Sequence, residues 1–459
     1  MSFVFHHLIK FGYANLDLIE EIEETQNKAV VLISGASSSG KSFAANYLRG
    51  LLNQNKHKAV VLSLDQYDFG LSGIIPNKVN LNYFNNSLPN IKEIESRIKK
   101  IIYNVPFDKK FSPEILKTIE LKIRDLLHAK DVPVFISGLA KEWQKLNFDE
   151  PSVYDLKEAS DDLKLLLQGK KVKAKLYSKV ISEQVPSHHV IDGSKYDVII
   201  VEGIYTLDPL LLNELKGYPL VTNFIDGNPK SLFLRRIIRD AKLTSADNVF
   251  TINLYFKYIV NAYLTTILPS RKNADVVLNN DMSFGELRAG DLYVTKEEIH
   301  TENPKVIEYL KRFGRQEKSI YQKDYYLNAP NENLDFNNIL RFRLISNDGG
   351  KTYKPSSLVH KGAPKVRKDN KIIRPINVLL KEGELVKVWK NEKACLNDFM
   401  FAGFLVGKIE KKIKTKLTYN GQSLTIREVE GEGSYIEFNK PLLPNVVKEI
   451  KKKVSKENA

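Results

Sequence analysis

Apolar residues in the first half of the chain fall into short runs with the length of buried strands. The runs are rich in Val, Leu and Ile, and they are separated by longer stretches with apolar residues at helical spacing. They cover residues 28–34, 59–64, 196–203, 220–226 and 274–278. Strands that alternate with helices build a parallel sheet covered on both faces. We therefore predict an α/β fold with a doubly wound parallel sheet.

From about residue 282 the pattern changes to strict alternation. Residues 340–344, LRFRL, and 412–417, KIKTKL, alternate basic with mostly apolar side chains. A period of two is typical of a strand with one charged and one buried face, and Asn420-Gly421 fits a hairpin turn. We predict a mostly antiparallel sheet or barrel. Its charged face could lie in solvent or line a closed barrel, and alternation alone does not choose between them.

These two patterns define a domain organisation. Residues 1–27 are expected to form a helical lead-in, 28–282 the α/β domain, 283–445 the antiparallel domain and 446–459 a basic tail. Residues 69–146 contain several prolines and interrupt the alternation of strands and helices. We interpret them as an insertion whose role the sequence does not indicate.

The charge balance indicates the class of partner. The chain of 459 residues has 70 Lys and Arg against 55 Asp and Glu, a net charge of +15. This favours anionic partners such as nucleotides or polyphosphate, but no nucleic-acid-binding motif accompanies it, so no nucleic acid is expected. The chain has no apolar stretch of membrane-spanning length and no secretory signal pattern, so a cytoplasmic location is expected. One cysteine, Cys395, excludes an intramolecular disulfide. An oligomer remains open.

A phosphate-binding loop follows the first apolar run. Eight residues fit the pattern G-x-x-x-x-G-K-[ST] and are followed by an apolar stripe at helical spacing. They are Gly35, Ala36, Ser37, Ser38, Ser39, Gly40, Lys41 and Ser42. The glycines allow successive N–H groups to point at one anion, Lys41 supplies a charge for the outer phosphates, and the Ser42 hydroxyl is suited to Mg²⁺. The sequence therefore predicts an ATP-binding domain.

Two further buried runs end in acids, and a third segment is rich in arginine. Asp65 follows the second run and Glu202 ends the third, which places both at the ligand-binding edge of the sheet. Asp65 is a candidate to accept a hydroxyl proton, or it caps a helix. Arg235, Arg236 and Arg239 lie on one predicted helix, where they could clamp phosphates or form a solvated face.

The first half resembles the uridine kinases and the related phosphoribulokinases. The resemblance covers about residues 28–282 and rests on several motifs in a characteristic order. They are GASSSGKS, the strand ending at Asp65, NFDEP at 147–151, YDVIIVEGIYTLD at 196–208 and FLRRIIRD at 233–240. The family's Tyr-Asp-Phe segment and its following His and Arg match residues 177–184, which retain only Tyr177.

The resemblance implies phosphoryl transfer from ATP to a hydroxyl, in uridine kinases that of a nucleoside. It implies that Asp65 is the base, that Asp149 and Tyr177 contact the acceptor, and that Glu202 positions Mg²⁺. The three arginines would belong to the lid over the phosphates.

The second half resembles the CYTH, or triphosphate tunnel, family. The matches are LRFRL at 340–344, HKG at 360–362, the strand at 412–419 and REVEGEGSYIE at 427–437, the most specific of them. The family's Glu-x-Glu-x-Lys signature is not found, Arg427 stands where Asp is frequent, and Asn439 replaces a final Glu.

This second resemblance implies an eight-stranded barrel whose interior holds a triphosphate or a related chain. The implied phosphate ligands are Arg341, Arg343, Lys361, Lys414 and Lys416. The implied metal ligands are Glu428, Glu430 and Glu437.

Three functions are consistent with this sequence. The first is an ATP-dependent kinase for a small-molecule hydroxyl, with a tunnel domain that binds polyphosphate or a nucleotide. The second is a pyrophosphate or triphosphate hydrolase that uses the tunnel. The third is a nucleotide-binding regulatory protein without turnover.

Overall fold

The structure is a computed structural model that describes most of the chain. The described residues are 3–23, 28–70, 91–104, 113–143, 147, 149–179, 183–185, 187–243, 247–281, 291–294, 297–330, 338–366, 372–438, 445, 448–450 and 452. Much of the predicted insertion, most of the predicted basic tail and Asn439 lie outside them. Within these ranges, the helices are all too short or too polar to cross a membrane.

The chain divides into two units. The first comprises Met1–Gly227, Arg239–Ser245 and Lys257–Asp281, and the second comprises Asn228–Ile238, Ala246–Phe256 and Met282–Ala459. The last division lies at the residue where the sequence pattern changes. Two earlier segments also group with the second unit.

The first unit contains a central parallel sheet and two small hairpins. Its described strands are β1 Ala29–Gly35, β2 Ala59–Ser63, β3 Lys171–Lys173, β4 Leu176–Ser178, β5 Glu183–Val185, β6 Val190–Asp192, β7 Val198–Glu202, β8 Leu220–Asp226 and β9 Val276–Asn279. The central sheet has the order β2-β7-β1-β8-β9 with every pair parallel. Strands β3 and β6 pair antiparallel, as do β4 and β5. The predicted doubly wound parallel sheet is thus confirmed.

Helices cover both faces of this sheet. They are α1 Phe3–Glu23, α2 Lys41–Gln54, α3 Ile91–Tyr103, α4 Pro113–Ile123, α5 Val132–Trp143, α6 Leu156–Leu167 and α7 Pro209–Glu214. Helix α8, Pro229–Leu243, follows β8 and has residues of both units. In β1, Val31 and Ile33 pack with α1 and α2, whereas Val30 and Leu32 pack with α3–α6. This alternation follows from the period of two, and it makes the helices of the insertion part of the core.

A helical run follows α8. It begins with α9, Asn248–Leu254, and continues through Tyr255–Ile259, Val260–Ala262, Tyr263–Ile267 and Leu268–Ser270, where Tyr255–Ile259 and Tyr263–Ile267 are π-helical. Single π turns within helices occur frequently near functional sites.

The second unit is built on one antiparallel sheet. Its described strands are β10 Asp291–Val294, β11 Glu297–Thr301, β12 Arg315–Asn328, β13 Ile339–Ser346, β14 Lys354–Lys361, β15 Lys365–Val366, β16 Ile372–Lys381, β17 Leu405–Tyr419, β18 Gln422–Val429 and β19 Gly433–Phe438. Their order is β10-β16-β14-β13-β12-β17-β18-β19-β11, and β15 pairs with β16. The mostly antiparallel sheet is confirmed, whereas closure into an eight-stranded barrel stays a prediction.

Helices and aromatic rings cover parts of this sheet. The helices are α10 Pro304–Phe313, α11 Glu382–Val388 and α12 Glu392–Phe401, of which α10 packs on the apolar side of β17–β19. The Phe233 ring lies 5.5 Å from that of Phe399 and 6.0 Å from that of Phe404, and the Phe256 ring lies 4.9 Å from that of Phe399. These contacts explain why the segments around residues 233 and 256 belong to the second unit.

Candidate functional sites

The P-loop connects β1 to α2 in a conformation that needs its two glycines. Gly35 has φ +143°, and a Cβ there would lie 2.3 Å from the carbonyl oxygen of Ile225. Gly40 has φ +102°, in the left-handed region. The side-chain amide of Asn280 donates a 2.7 Å hydrogen bond to the Ser39 carbonyl and fixes the loop from β9. Among the described residues, the buried hydroxyls of Ser38 and Ser39 have no hydrogen-bond partner, as expected for groups that await an anion.

Lys41 is buried at the first position of α2. Its ammonium donates a 2.8 Å hydrogen bond to the Ala36 carbonyl. Burial lowers the pKa of Lys41 to about 8, the charges of Glu202 and Asp65 act to raise it, and those of Lys179 and Arg239 act to lower it. Lys41 therefore shares one electrostatic environment with Asp65 and Glu202, the two acids at strand ends, and with Arg239, one of the three predicted arginines.

The three predicted arginines are not equivalent. The Arg239 guanidinium donates a 3.2 Å hydrogen bond to the Ser37 hydroxyl in the P-loop and also binds the Asp240 carboxylate at 2.9 Å. Arg235 and Arg236 lie on the same helix but belong to the second unit. Only Arg239 is thus placed at the P-loop within the first unit, and a lid role for the other two stays a prediction.

Asp65 lies at the predicted edge of the sheet. It is in the 3₁₀ helix Leu64–Tyr67 directly after β2, and Ser63 at the end of β2 is opposite Glu202 at the end of β7. Asp65 is the second residue of this short helix, so it does not occupy the N-cap position, which is Ser63. One Asp65 carboxylate oxygen lies 2.6 Å from the Lys179 ammonium. Lys179 lies within residues 177–184, which match the family's Tyr-Asp-Phe segment, but no motif predicts a role for it.

The hairpin β4–β5 places Lys179 at this position. Tyr177 in β4 is opposite Gln184 in β5, and Lys179 directly follows β4. The Gln184 side-chain amide donates to the Asp68 carbonyl at 2.8 Å and to the Gln66 carbonyl at 3.3 Å. These two carbonyl oxygens belong to the segment that carries Asp65. The hydrogen bonds therefore hold the hairpin against the candidate base.

A buried tyrosine lies near the candidate base. Burial, followed by the negative charges of Asp65, Asp68 and Asp149, raises the pKa of Tyr154 well above its usual value. Tyr177 contributes to the same shift, so Asp149 and Tyr177, both predicted to contact the acceptor, share the environment of Asp65. Tyr154 and Asp68 belong to no recognised motif, so no sequence signal selects them.

The residues near the P-loop fit a divalent metal bound together with a nucleotide. The Ser42 hydroxyl and the carboxylates of Asp65 and Glu202 are hard oxygen donors, which Mg²⁺ prefers. In the part of the chain that the structure describes, no three His, Cys, Asp or Glu residues form a metal site by themselves. This fits a cation that is held by one or two protein groups and the phosphates of its nucleotide.

A second group of charges lies on one face of the antiparallel sheet. We call it the charge cluster. It contains Asp324, Arg341, Arg343, Lys361, Glu410, Lys412, Lys414, Arg427 and Glu437. Residues opposite each other on antiparallel strands share a face, and the register pairs Asp324 with Arg343, Lys414 with Arg427 and Thr425 with Glu437.

Asp324 is the centre of this cluster and is fully buried. Arg343 donates two hydrogen bonds to it, of 2.6 and 2.7 Å, and the Lys412 ammonium lies 2.6 Å away. Burial alone would raise the pKa of Asp324, but Arg343, Arg341 and Lys412 hold it well below its usual range. Asp324 was missed in the sequence because it lies in a strand outside the recognised motifs.

The cluster contains more cations than carboxylates. Glu410 contacts Lys412, and Glu437 contacts Lys414 at 3.0 Å and the Arg427 Nε atom at 3.0 Å. Burial and the surrounding cations Arg341, Arg343, Arg374 and Lys412 lower the pKa of Lys361 to about 7. The carboxylates are thus occupied by cations, and the excess positive charge favours an anion.

Three residues predicted for the tunnel lie elsewhere. Glu428 pairs with Lys311 at 2.5 Å and Glu430 with Lys411 at 3.4 Å, so neither reaches the cluster. For Glu428 the reason is parity, because Arg427 faces the cluster and the next residue on β18 must point to the other side. Glu430 lies beyond the end of β18 and is exposed. Lys416 has the correct parity, but it is half exposed and pairs with Glu317 at 2.6 Å. The structure brings Arg341, Arg343, Lys361, Lys414 and Glu437 together in the cluster, and their role as ligands stays a prediction.

Comparisons with known proteins show that the chain is similar to uridine kinases and to the family that contains them. The family described as "Phosphoribulokinase / Uridine kinase family" matches residues 131–283. A uridine kinase of Streptococcus equi subsp. zooepidemicus (strain MGCS10565) is 32% identical over 156 residues, which are 34% of this chain and 72% of that protein. A uridine kinase of Staphylococcus aureus (strain JH9) is 30% identical over 132 residues, 29% of this chain and 61% of that protein. The structure of a "Possible Uridine Kinase" from Bacillus stearothermophilus has 16% identity, covers 58% of this chain and 100% of that chain, and gives a TM-score of 0.29.

Proposed function

Because the chain belongs to the phosphoribulokinase and uridine kinase family, we propose that its first unit transfers the γ-phosphoryl group of ATP to a hydroxyl group of a small molecule. The observation that supports this most directly is the shared environment of Lys41, Asp65 and Glu202 beside an intact P-loop. Phosphoryl transfer needs mainly positioning and charge neutralisation, which these groups can supply.

The P-loop holds the nucleotide in this proposal. Its backbone N–H groups and the N-terminus of α2 bind the phosphates, and the ammonium of Lys41 leaves the Ala36 carbonyl for the outer phosphates. The Arg239 guanidinium, beside Ser37, adds positive charge at the same place. Arg235 and Arg236 would extend this positive charge as part of a lid.

Asp65 handles the proton. As the acceptor hydroxyl oxygen bonds to the γ-phosphorus, the bond from that phosphorus to the β–γ bridging oxygen breaks, and ADP leaves with the electron pair. The hydroxyl proton passes to the Asp65 carboxylate. The alternative role of Asp65 as a cap receives no support, since Ser63 occupies the N-cap position and Asp65 lies inside the helix.

Mg²⁺ is the divalent metal we propose for this site, with Ser42 and Glu202 as its protein contacts. When bound, it neutralises charge on the β- and γ-phosphates. Asp149 and Tyr177 are proposed to contact the acceptor, which in uridine kinases is a nucleoside.

The test is a screen of the purified full-length chain with ATP and Mg²⁺ against nucleosides, sugars and their phosphates, with separate detection of ADP and free phosphate. We expect acceptor-dependent ADP without free phosphate, lost in Lys41→Ala and retained in Lys216→Ala, which alters an exposed lysine. Free phosphate without a phosphorylated acceptor would indicate a hydrolase, and ATP binding without either product would indicate a regulatory nucleotide-binding protein.

For the second unit we propose the binding of a polyphosphate or nucleotide chain at the charge cluster. Its support is the excess of cations around Asp324, of which Arg341 and Lys412 are buried. Concentrated cations repel each other, and a bound polyanion relieves that repulsion. The proposal is tested by adding tripolyphosphate or ATP to a Lys41→Ala chain with EDTA present. The proposal is supported if the temperature of a second melting transition rises with the concentration of the anion. It is contradicted if that temperature does not change.

A metal-dependent hydrolase at the charge cluster is less well supported. Asp324, Glu410 and Glu437 are each held by cations of the cluster, and Glu428 and Glu430 point away. The carboxylates therefore do not fit a metal at this place. The hydrolase hypothesis would be supported by Mg²⁺-dependent release of phosphate from tripolyphosphate that persists in Lys41→Ala.

A further inference from the structure

The ion pair between Lys179 and Asp65 conflicts with the role proposed for Asp65. A base must offer a carboxylate oxygen to the acceptor hydroxyl, but an ammonium 2.6 Å from one of these oxygens competes for the same position. The pair is only partly shielded, since the Lys179 side chain is 51% exposed and that of Asp65 is 26% exposed. The ammonium is therefore accessible to a ligand that enters from solvent.

The position of Lys179 is built into the fold. It directly follows β4, and the hairpin is fixed to the catalytic segment by the two hydrogen bonds from Gln184. The lysine side chain is long enough to move by several ångströms while its backbone stays in place. Lys179 can thus exchange the Asp65 carboxylate for another anion without any change in the hairpin.

The surrounding charges show what such an anion would do. Lys179 is close enough to Lys41 to lower its pKa, so two cations face the reacting region. The acceptor side also contains Asp149 and Tyr177, groups that suit hydroxyls. A neutral acceptor would have to displace the ammonium without offering a charge in return, whereas an anionic acceptor replaces the carboxylate and frees Asp65.

We infer that Lys179 is a specificity-determining residue that selects an acceptor with an anionic group, a phosphate or carboxylate, in addition to the hydroxyl that is phosphorylated. This inference rests on the proposed kinase function of the first unit. Binding of the anionic group draws the ammonium from Asp65, and the acceptor hydroxyl takes the vacated position. The bond changes at the γ-phosphorus are those given above.

The γ-phosphate of ATP is the other anion that Lys179 could bind. Lys41 and Arg239 already serve the P-loop, whereas Lys179 is on the hairpin beside Tyr177. The acceptor is therefore the partner we assign. If Lys179 binds the acceptor, its substitution changes the KM of the acceptor. If it binds the γ-phosphate, its substitution changes the KM for ATP.

The experiment uses the full-length chain with ATP and Mg²⁺ and matched acceptor pairs. Uridine is compared with uridine 3′-monophosphate, ribose with ribose 5-phosphate and glycerol with glycerate, so that each pair shares a free hydroxyl. For the wild type we expect at least a tenfold higher kcat/KM with anionic members. In Lys179→Ala this preference should fall by about tenfold to a hundredfold, mainly through the KM of the acceptor, the size expected for one charged hydrogen bond.

Three further variants make the test specific. Lys179→Arg should retain most of the preference for anionic acceptors, and Lys179→Glu should remove it, while the KM for ATP stays within about threefold in all of them. Lys173→Ala, an exposed lysine on the neighbouring strand β3, should behave as wild type. A loss that appears in the KM for ATP would assign Lys179 to the nucleotide and overturn the inference.

The outcomes separate this inference from the proposed function. Turnover with neutral acceptors only, or a preference for anions that Lys179→Ala leaves intact, would overturn the role of Lys179 while the kinase stands. If no acceptor of either kind yields ADP that depends on Lys41, the proposed function fails and the inference fails with it.

Discussion

The ammonium group of Lys41 and the carbonyl oxygen of Ala36 are joined by a 2.8 Å hydrogen bond within the P-loop itself. In this state the lysine is buried and its pKa is lowered to about 8. A phosphate placed beside it would favour the charged form. The nucleotide-free and nucleotide-bound states should therefore differ in protonation.

This difference predicts a pH dependence of ATP binding. Below pH 8 Lys41 is charged and ready to bind phosphate, and above pH 8 it must first take up a proton. Between pH 7 and 9 the affinity should fall about tenfold, with proton uptake at the higher pH. Calorimetry in buffers of different ionisation enthalpy measures both quantities. A flat affinity in the wild type, or an equal fall in Lys41→Ala, would contradict the assignment.

Asp65→Asn separates proton acceptance from ATP binding. The amide keeps the shape of the side chain but cannot accept the hydroxyl proton, so kcat should fall about a hundredfold or more. The dissociation constant of ATP should change little. Asp161→Asn is the matched control, since Asp161 is an exposed residue of α6 that pairs with the neighbouring Lys157 and Lys164. Equal turnover of the two variants would remove Asp65 from the mechanism.

Local patterns predicted the part of the site that depends on local geometry. The P-loop, Asp65 and Glu202 could be located because an apolar run defines a strand and its end defines the ligand edge. Lys179 could not, because its pairing with Asp65 depends on how a hairpin more than a hundred residues later docks onto the first residues after β2. A contact between segments so far apart in the chain leaves no periodic pattern in the sequence.

In the second unit the predicted alternation of strand residues is present, but two predicted metal ligands do not lie with the charge cluster. The period of two in β17 and β18 was correct, and it placed Lys414 opposite Arg427. The resemblance nevertheless implied Glu428 and Glu430 as metal ligands, although Glu428 has the opposite parity to Arg427 and Glu430 lies beyond the end of β18. The contribution of the Phe233 segment to this unit was not predictable either, since it depends on the aromatic rings that bury it.

Phe233→Ala tests that unexpected contribution. Phe233 is fully buried, so removal of its ring should destabilise the second unit by about 3–5 kcal/mol. Phe250→Ala in α9 removes a ring that is 44% exposed and should cost less than about 1 kcal/mol. Urea unfolding followed by the fluorescence of buried Trp389, in a Trp143→Phe background, gives both values. Equal losses would mean that residues 228–238 are not part of this core.

The lowered pKa of Lys361 predicts how anion binding at the charge cluster depends on pH. Burial and four neighbouring cations lower its pKa to about 7, so it is mostly neutral at pH 8 and mostly charged at pH 6. A bound polyanion favours the charged form, and the affinity for tripolyphosphate should therefore rise as the pH falls. Over this range the part of the rise due to Lys361 should be about tenfold.

The measurement must separate Lys361 from the ionisation of tripolyphosphate. We expect the pH effect in the Lys41→Ala chain, with EDTA present, to shrink by about tenfold when Lys361→Ala is added. Lys365→Ala is the matched control, because Lys365 is exposed on β15 and close in sequence. A pH effect that is the same in all three chains would come from the ligand alone. Tighter binding in Lys361→Ala than in its parent at pH 6 would exclude this lysine from the anion site.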